Sequence, residues 1–570
     1  MANKKFSEFT LKTDSANVDF VVGYDGTDNV RIAPSNLSSG GASSLNGLSD
    51  VLIDSTSAYF INIPSGLSGN PEDNLVIGSL AGNALTTGTR HTIIGHDAGS
   101  TLTNANSNTI YGYEAAKGMA AGSDRNVVIG DMACRANAGD DNVVIGSSAG
   151  TNFTSAVEDC VVIGSFAAGS AGTSASGVTA IGRKAGRSNT ADGILSIGFE
   201  AGYSQTSGVT NTYVGYRSGY SNTTSRDNTY IGRQSGYSAT GARNSSLGLS
   251  AFGGGFGHSG TDNVAFGYRA LQQPSGASNY NVAIGSDALR ASGTKSNNVA
   301  IGYQAGTAVT TGSNNIVIGY QAGFALTTGG GNTLLGYLAG EDLSAGVNNV
   351  AIGYEALKSE TNHGRNVAIG YGALQTQNAG VHAYNVALGY SAGGSVNTGK
   401  QNTFLGGKTG ETLTTGENNT VIGYSSTQSA VDVDNEITLG NSSVSALRCA
   451  VTSITSLSDE RDKSEIKDLQ YGLDFIDSLQ PREFIWDNRA EITKEYDEEG
   501  NATEVEFYSA NKGKKDFGFI AQEVQSVDDD TLRLVYDENP DKLELSYGKL
   551  VPILVQAIKE LKAEVELLKA

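Results

Sequence analysis

Proline is almost missing from this chain, with 7 residues in 570 against 75 glycines. A collagen-like triple helix needs both, so it is excluded, and the regular apolar spacing between the glycines excludes a disordered linker. Cysteine is rarer still. Cys134, Cys160 and Cys449 are far apart and odd in number, which predicts reduced thiols of a protein made in a cytosol and no disulfide framework. The five histidines, His91, His96, His258, His363 and His382, lack metal-ligand spacing, and Asp140-Asp141 match no calcium loop. No apolar run approaches a membrane span, and Met1-Ala2-Asn3-Lys4-Lys5-Phe6 leads into no apolar signal core. Positive charge is also short. The net charge of −21 makes nucleic acid and anionic membrane poor partners. No Ser-His-Asp set or carboxylate pair stands out before residue 458, and no cofactor is expected.

What fills the chain instead is a repeat. Asn, an apolar triplet, Gly, often Tyr, one variable residue, then Ala-Gly or Ala-Leu recur, as in Asn298-Val299-Ala300-Ile301-Gly302-Tyr303-Gln304-Ala305-Gly306. Twenty-two marker glycines run from Gly78 to Gly440 at a mean spacing of about 17 residues. That is too short for a helix–turn–helix unit and fits one β-solenoid coil of two short strands and two turns. The triplet is the first strand and Ala-Gly suits a second. An all-apolar triplet predicts burial on both faces, one inside the coil and one against a neighbour, most simply an identical chain. Asn favours a turn or a stacked ladder. Coils about 4.8 Å apart predict a rod of roughly 100 Å. The motif is similar to the heads of trimeric autotransporter adhesins and to repeats in marine phage tail fibres, which implies a trimeric β-roll shaft. An intertwined triple-stranded β-helix is the competing architecture.

The Tyr after the marker (Tyr113, Tyr216, Tyr268, Tyr303, Tyr320, Tyr337, Tyr354, Tyr371, Tyr390, Tyr424) reads first as a structural ladder and second as a sugar-binding face. Irregular coils at Phe252-Gly253-Gly254-Gly255-Phe256-Gly257-His258 and at Glu341-Asp342 are further recognition candidates.

Residues 1–70 differ. Val18 to Ile32 alternates around Gly23-Tyr24-Asp25-Gly26 and predicts a β-hairpin, and Ser35 to Ser44 predicts a linker. Leu45-Asn46-Gly47-Leu48-Ser49-Asp50-Val51-Leu52-Ile53 resembles N-terminal segments of phage tail-fibre-like proteins, which implies docking onto other virion proteins. A cap on the first coil is the other reading. Residues 441–458 alternate small polar and apolar side chains, as expected of a β stalk.

At Asp459 the composition breaks. Charged residues rise from about one in eight to more than one in three. Ser458 and Lys463 flank the break. A Lys of lowered pKa can take a Ser proton, but Ser458-Asp459-Glu460-Arg461 also reads as a helix N-cap. Four segments follow in order: Asp459 to Ile466, Gly472 to Ile476, Phe517 to Val524 and Tyr547 to Leu554. Together they closely resemble the C-terminal intramolecular chaperone of endosialidases and other phage tail spikes and fibres. The resemblance implies a homotrimeric chaperone over 459–570 that assembles the shaft of 71–440. It also implies release by Ser458 and Lys463 at the Ser458-Asp459 bond, or before Ser458. The acidic Asp497-Glu498-Glu499-Gly500 predicts a hairpin tip. Leu550, Leu554, Ala557, Leu561, Glu564 and Leu568 form a heptad seam, widened by Ile558 and Val565.

The expected fold is therefore mainly β: a solenoid shaft, then a small α+β domain ending in a long helix. The expected function is a virion appendage that binds a host surface receptor, with a glycan as the expected kind. A depolymerase tail spike and a bacterial adhesin are the alternatives. The first lacks an acid pair and the second a visible signal or anchor.

Overall fold

The computed structural model describes residues 72–570, apart from short stretches, of which the longest is 449–457, and the backbone of four strands within residues 1–71. The chain divides into two compact units. One is Met1–Ile301 with Val309–Thr311, and the other is Gly302–Ala308 with Gly312–Ala570. Ser35 to Ser44, most of the stalk with Cys449, and Asp497-Glu498-Glu499-Gly500 lie outside the described residues.

In the first unit β1 (Phe20–Tyr24) and β2 (Asn29–Ile32) pair antiparallel, as the alternation predicts. β3 (Val51–Ile53) and β4 (Ala58–Phe60) form a second hairpin, and β4 pairs parallel with β5 (Leu75–Ile77), the first coil strand. Backbone pairing thus continues from the N-terminal segment into the array, as a cap requires. From β5 onward each three-residue strand pairs in register with the next, to Val299–Ile301 in this unit. In the second unit the same in-register ladder runs from Ile316–Ile318 to Ile437–Leu439. Each coil lies on the next coil of the same chain. An intertwined helix would put strands of other chains between them, so that alternative is set aside.

One expectation is corrected. A coil holds one strand, and the Ala-Gly segment is a tight turn rather than a second strand. Its geometry explains this: Gln304, Gly306 and Asn314 all take left-handed φ near +53°, +56° and +61°, which no β-strand tolerates. Within the single chain one face of the strand is buried. Only the middle residue points inward, such as Ala300, Val317 or Leu334, and each larger one contributes about 2 kcal/mol of burial. The outer pair remains partly open, and Ile284, Leu335, Leu388 and Leu405 are exposed.

The marker glycine has a steric cause. Gly302 has φ +135°, and a Cβ there would lie 2.3 Å from the carbonyl oxygen of Gly319 on the next coil. The repeated Asn forms an internal ladder. Asn332 donates its backbone N–H to Asn315 Oδ1 at 3.0 Å, and its own Nδ2 donates to Asn315 Oδ1 and to the Gly346 carbonyl. Each buried carboxamide thereby satisfies the turn beside it and the coil that follows.

The C-terminal segment is built on α1 (Leu473–Ser478), α2 (Ala521–Gln525) and α3 (Leu550–Lys569), with short antiparallel pairs between. Phe475, Leu479, Val524, Leu534, Leu550 and Ile553 close one small core. No helix among the described residues is long and apolar enough to cross a membrane.

Candidate functional site

The charged junction forms one short 3-10 turn, Glu460–Asp462. Its N-cap is Asp459, not Ser458. The Asp459 carboxylate accepts from the Arg461 backbone N–H at 2.9 Å and from the Arg461 guanidinium at 2.9 and 2.6 Å. The guanidinium first, and the backbone N–H second, hold the Asp459 carboxyl below the usual carboxylate range. Arg461 therefore fixes the cap, a role its sequence left open.

With the cap supplied by Asp459, the Ser458 hydroxyl is left over. Lys463 ends the turn in extended backbone, φ −124° and ψ 143°, and its side chain folds back over it. Its Nζ donates to Ser458 Oγ at 2.5 Å. The two residues singled out from sequence are in direct contact. Among the described residues no other side chain hydrogen-bonds either of them. Both are exposed in the single chain.

The other segments converge on the supporting core. Tyr547 Oη accepts from the Phe519 N–H at 3.0 Å, and a Cβ at Gly518 would lie 2.5 Å from that oxygen. Glu523 on α2 accepts both forks of Arg482 at 3.0 Å. Glu560 on α3 accepts from the Leu473 N–H at 2.6 Å and so caps α1, and that bond lowers its pKa. Gly472 leaves room for the approach. Nothing in the spacing marked Glu560 for this role, because cap and helix are 87 residues apart.

The final helix divides its apolar residues differently from the expected seam. Leu550, Ile553 and Ala557 are buried against the domain. Leu554, Ile558, Leu561, Val565 and Leu568 are exposed and step by 4, 3, 4 and 3 along one line. That line is itself a heptad seam and is open.

Several of the remaining candidates take structural positions. Tyr303, Tyr320, Tyr337, Tyr354, Tyr371 and Tyr390 stack with centroids 4.8–5.3 Å apart. Their faces cover one another, which supports the ladder over a row of sugar platforms. Phe252 and His258 are buried rather than displayed, and burial lowers the His258 pKa. Asp140 and Asp141 both hold Arg125. Among the described residues no group of His, Cys, Asp and Glu has the arrangement of a metal site. Cys134 and Cys160 are free and buried, their thiols pushed up to about 12 and about 11 chiefly by burial, so they are poor nucleophiles.

No curated protein and no solved structure matches the chain. Residues 458–533 match the family described as chaperone of endosialidase, a family of self-cleaving serine peptidases that act in homotrimer assembly. The match opens at Ser458, and the chain thus carries a C-terminal chaperone-of-endosialidase domain after a long β-solenoid.

Proposed function

We propose that this chain is the precursor of a trimeric virion appendage, a tail fibre or similar attachment shaft, and that its chaperone domain sets the trimer and then cuts itself off. The observation that carries the reading is Lys463 Nζ on Ser458 Oγ at 2.5 Å, where the family match begins. Three copies meet along the open line Leu554, Ile558, Leu561, Val565 and Leu568, which brings their junctions together and excludes water from the exposed pair. Neutral Lys463 then takes the Ser458 proton, and the alkoxide adds to the carbonyl of a Ser458-Asp459 bond. Attack on its own carbonyl would close a strained β-lactone, so the bond attacked belongs to a neighbouring chain. Asp459 leaves as the free amine with the proton from Lys463, and water releases the acyl group. The mature product is a shaft of residues 1–458, which docks on other virion proteins through its N-terminal segment and meets a host surface glycan along the solenoid.

Mass measurement of the purified protein under native and denaturing conditions tests this. Wild type yields a trimer of chains ending at Ser458 and a fragment starting at Asp459. Ser458→Ala and Lys463→Met each yield a full-length trimer. A cut at the same bond in Ser458→Ala contradicts the assignment.

A further inference from the structure

Within the first unit, one face of four consecutive coils departs from the acidity of the rest. Residues 182–248 contain seven basic residues and three acidic ones, in a chain of net charge −21. Five of the seven lie on the turn that follows the marker glycine, whose first position is Tyr in half of the other coils. In the column directly after that glycine, Arg183 and Arg233 bracket a stacked pair, Phe199 and Tyr216, whose centroids are 5.2 Å apart. The Arg183 guanidinium lies 5.6 Å from the Phe199 ring, and that of Arg233 lies 5.6 Å from the Tyr216 ring. A second column runs Arg187, Tyr203, Tyr220, Tyr237, with rings 5.0 and 5.1 Å apart. Arg217 sits between the columns, within 6 Å of three of the rings. Glu200 is the one acid among them. It is buried and already holds Arg217 at 2.8 Å and Lys184 at 3.6 Å. Among the described residues, Arg183 and Arg233 have no carboxylate partner, and both are exposed.

We infer that this face binds an anionic polysaccharide whose sugars carry carboxylates. Contact with the rings restrains each guanidinium, and a guanidinium offers paired N–H groups for bidentate contact with a carboxylate. The rings recur once per coil, close to the length of one pyranose, so successive sugars meet successive coils. Sister copies in register do not fit as the occupant. At this level they offer only the buried Glu200, Asp192, which accepts from the Ser176 N–H, and Asp227 beside Arg226. Nucleic acid fits poorly, since its dense charge meets a chain of net −21 beyond these four coils. The inference rests on the reading of the solenoid as an attachment shaft and adds a ligand class and a location to it.

The test uses the purified, cleaved wild-type shaft, with mass and native mobility checked on the same preparation. Immobilised polygalacturonate is the probe, with neutral dextran and single-stranded DNA as comparisons. Wild type binds polygalacturonate, weakens as salt rises and ignores dextran. Arg183→Gln with Arg233→Gln lowers the affinity at least tenfold and flattens the salt dependence. Arg226→Gln, on another turn of the same coils, leaves it unchanged. A trimeric, cleaved wild-type shaft that does not bind polygalacturonate, or binds DNA as well, overturns the ligand class and leaves the assembly reading standing. An unchanged affinity in the double variant overturns the location, and loss of trimer in it reassigns the face to a chain contact. A preparation that is neither trimeric nor cleaved fails the assembly reading instead.

Discussion

At the scale of the residue, the solenoid tolerates exceptions only where the replacement repeats the same bonds. His91 stands in an Asn position of the internal ladder. Its Nδ1 accepts from the Asn108 N–H while Nε2 meets the Ala105 carbonyl at 2.8 Å, so the ring is held neutral with its proton on Nε2, and burial lowers its pKa. Cys160 does the same with a thiol. His91 and Cys160 are thus ladder members, a fact that spacing alone did not show. Lys295 is the sharper exception. It replaces the small residue three places before the Asn, is fully buried, and donates from Nζ to the Ala291 and Val309 carbonyls. Burial pulls its pKa down to about 7 from 10.5. Between those values the unfolded chain holds a proton that the folded chain has lost, so stability rises with pH across that window. Lys295→Met removes the rise. Guanidinium midpoints of the cleaved shaft between pH 7 and pH 10 check this: wild type gains up to a few kcal/mol, about one for each unit of pH climbed, and the variant stays flat. An equal slope in both places the titration elsewhere.

At the scale of the element, the coil was largely legible. The triplet, its glycine and the period locate every strand from Leu75–Ile77 to Ile437–Leu439. What the pattern concealed was the second half of the coil. Ala-Gly looks like a strand in composition, and it becomes a turn because the residues around it take left-handed φ, which one-letter patterns record only when the residue is glycine. The final helix shows the same limit. Heptad counting found the helix and its apolar content, but one line of residues is divided between two tasks. Leu550, Ile553 and Ala557 serve the domain's own core, and Leu554, Ile558, Leu561, Val565 and Leu568 remain outside it. If that open line joins the three copies, Ile558→Asp with Leu561→Asp abolishes the trimer and, with it, self-cleavage. Both positions are exposed in the single chain, so the domain still folds. Sedimentation and denaturing gels separate the outcomes: a full-length monomer is expected, and a cleaved chain contradicts the coupling. Apolar burial lost at six positions of a trimer amounts to about 10 kcal/mol, enough to dissolve it at ordinary concentrations.

At the scale of the whole molecule, the proposed roles of the shaft and of the C-terminal domain depend on each other. An array of in-register parallel coils leaves apolar outer positions on its strands, and in the proposed assembly three such arrays must be brought into register. The C-terminal domain supplies an open heptad line and a Ser458–Lys463 contact just beyond the shaft. The candidate site was legible in sequence as a pair of residues and a set of motifs. What linked them, Asp459 and Arg461 taking over the cap so that Ser458 is free for Lys463, is a matter of backbone geometry and had no sequence signature. In the proposed assembly, removal of the chaperone is a one-way step: the domain sets the register, and the finished shaft does not recover it once the domain is gone. Refolding tests this most directly. Cleaved wild-type shaft and uncleaved Ser458→Ala trimer are unfolded in guanidinium and returned to buffer at equal concentration, and trimer recovery is measured by native mass. The account predicts that the uncleaved variant regains its trimer and the cleaved shaft does not. Equal recovery of both contradicts it.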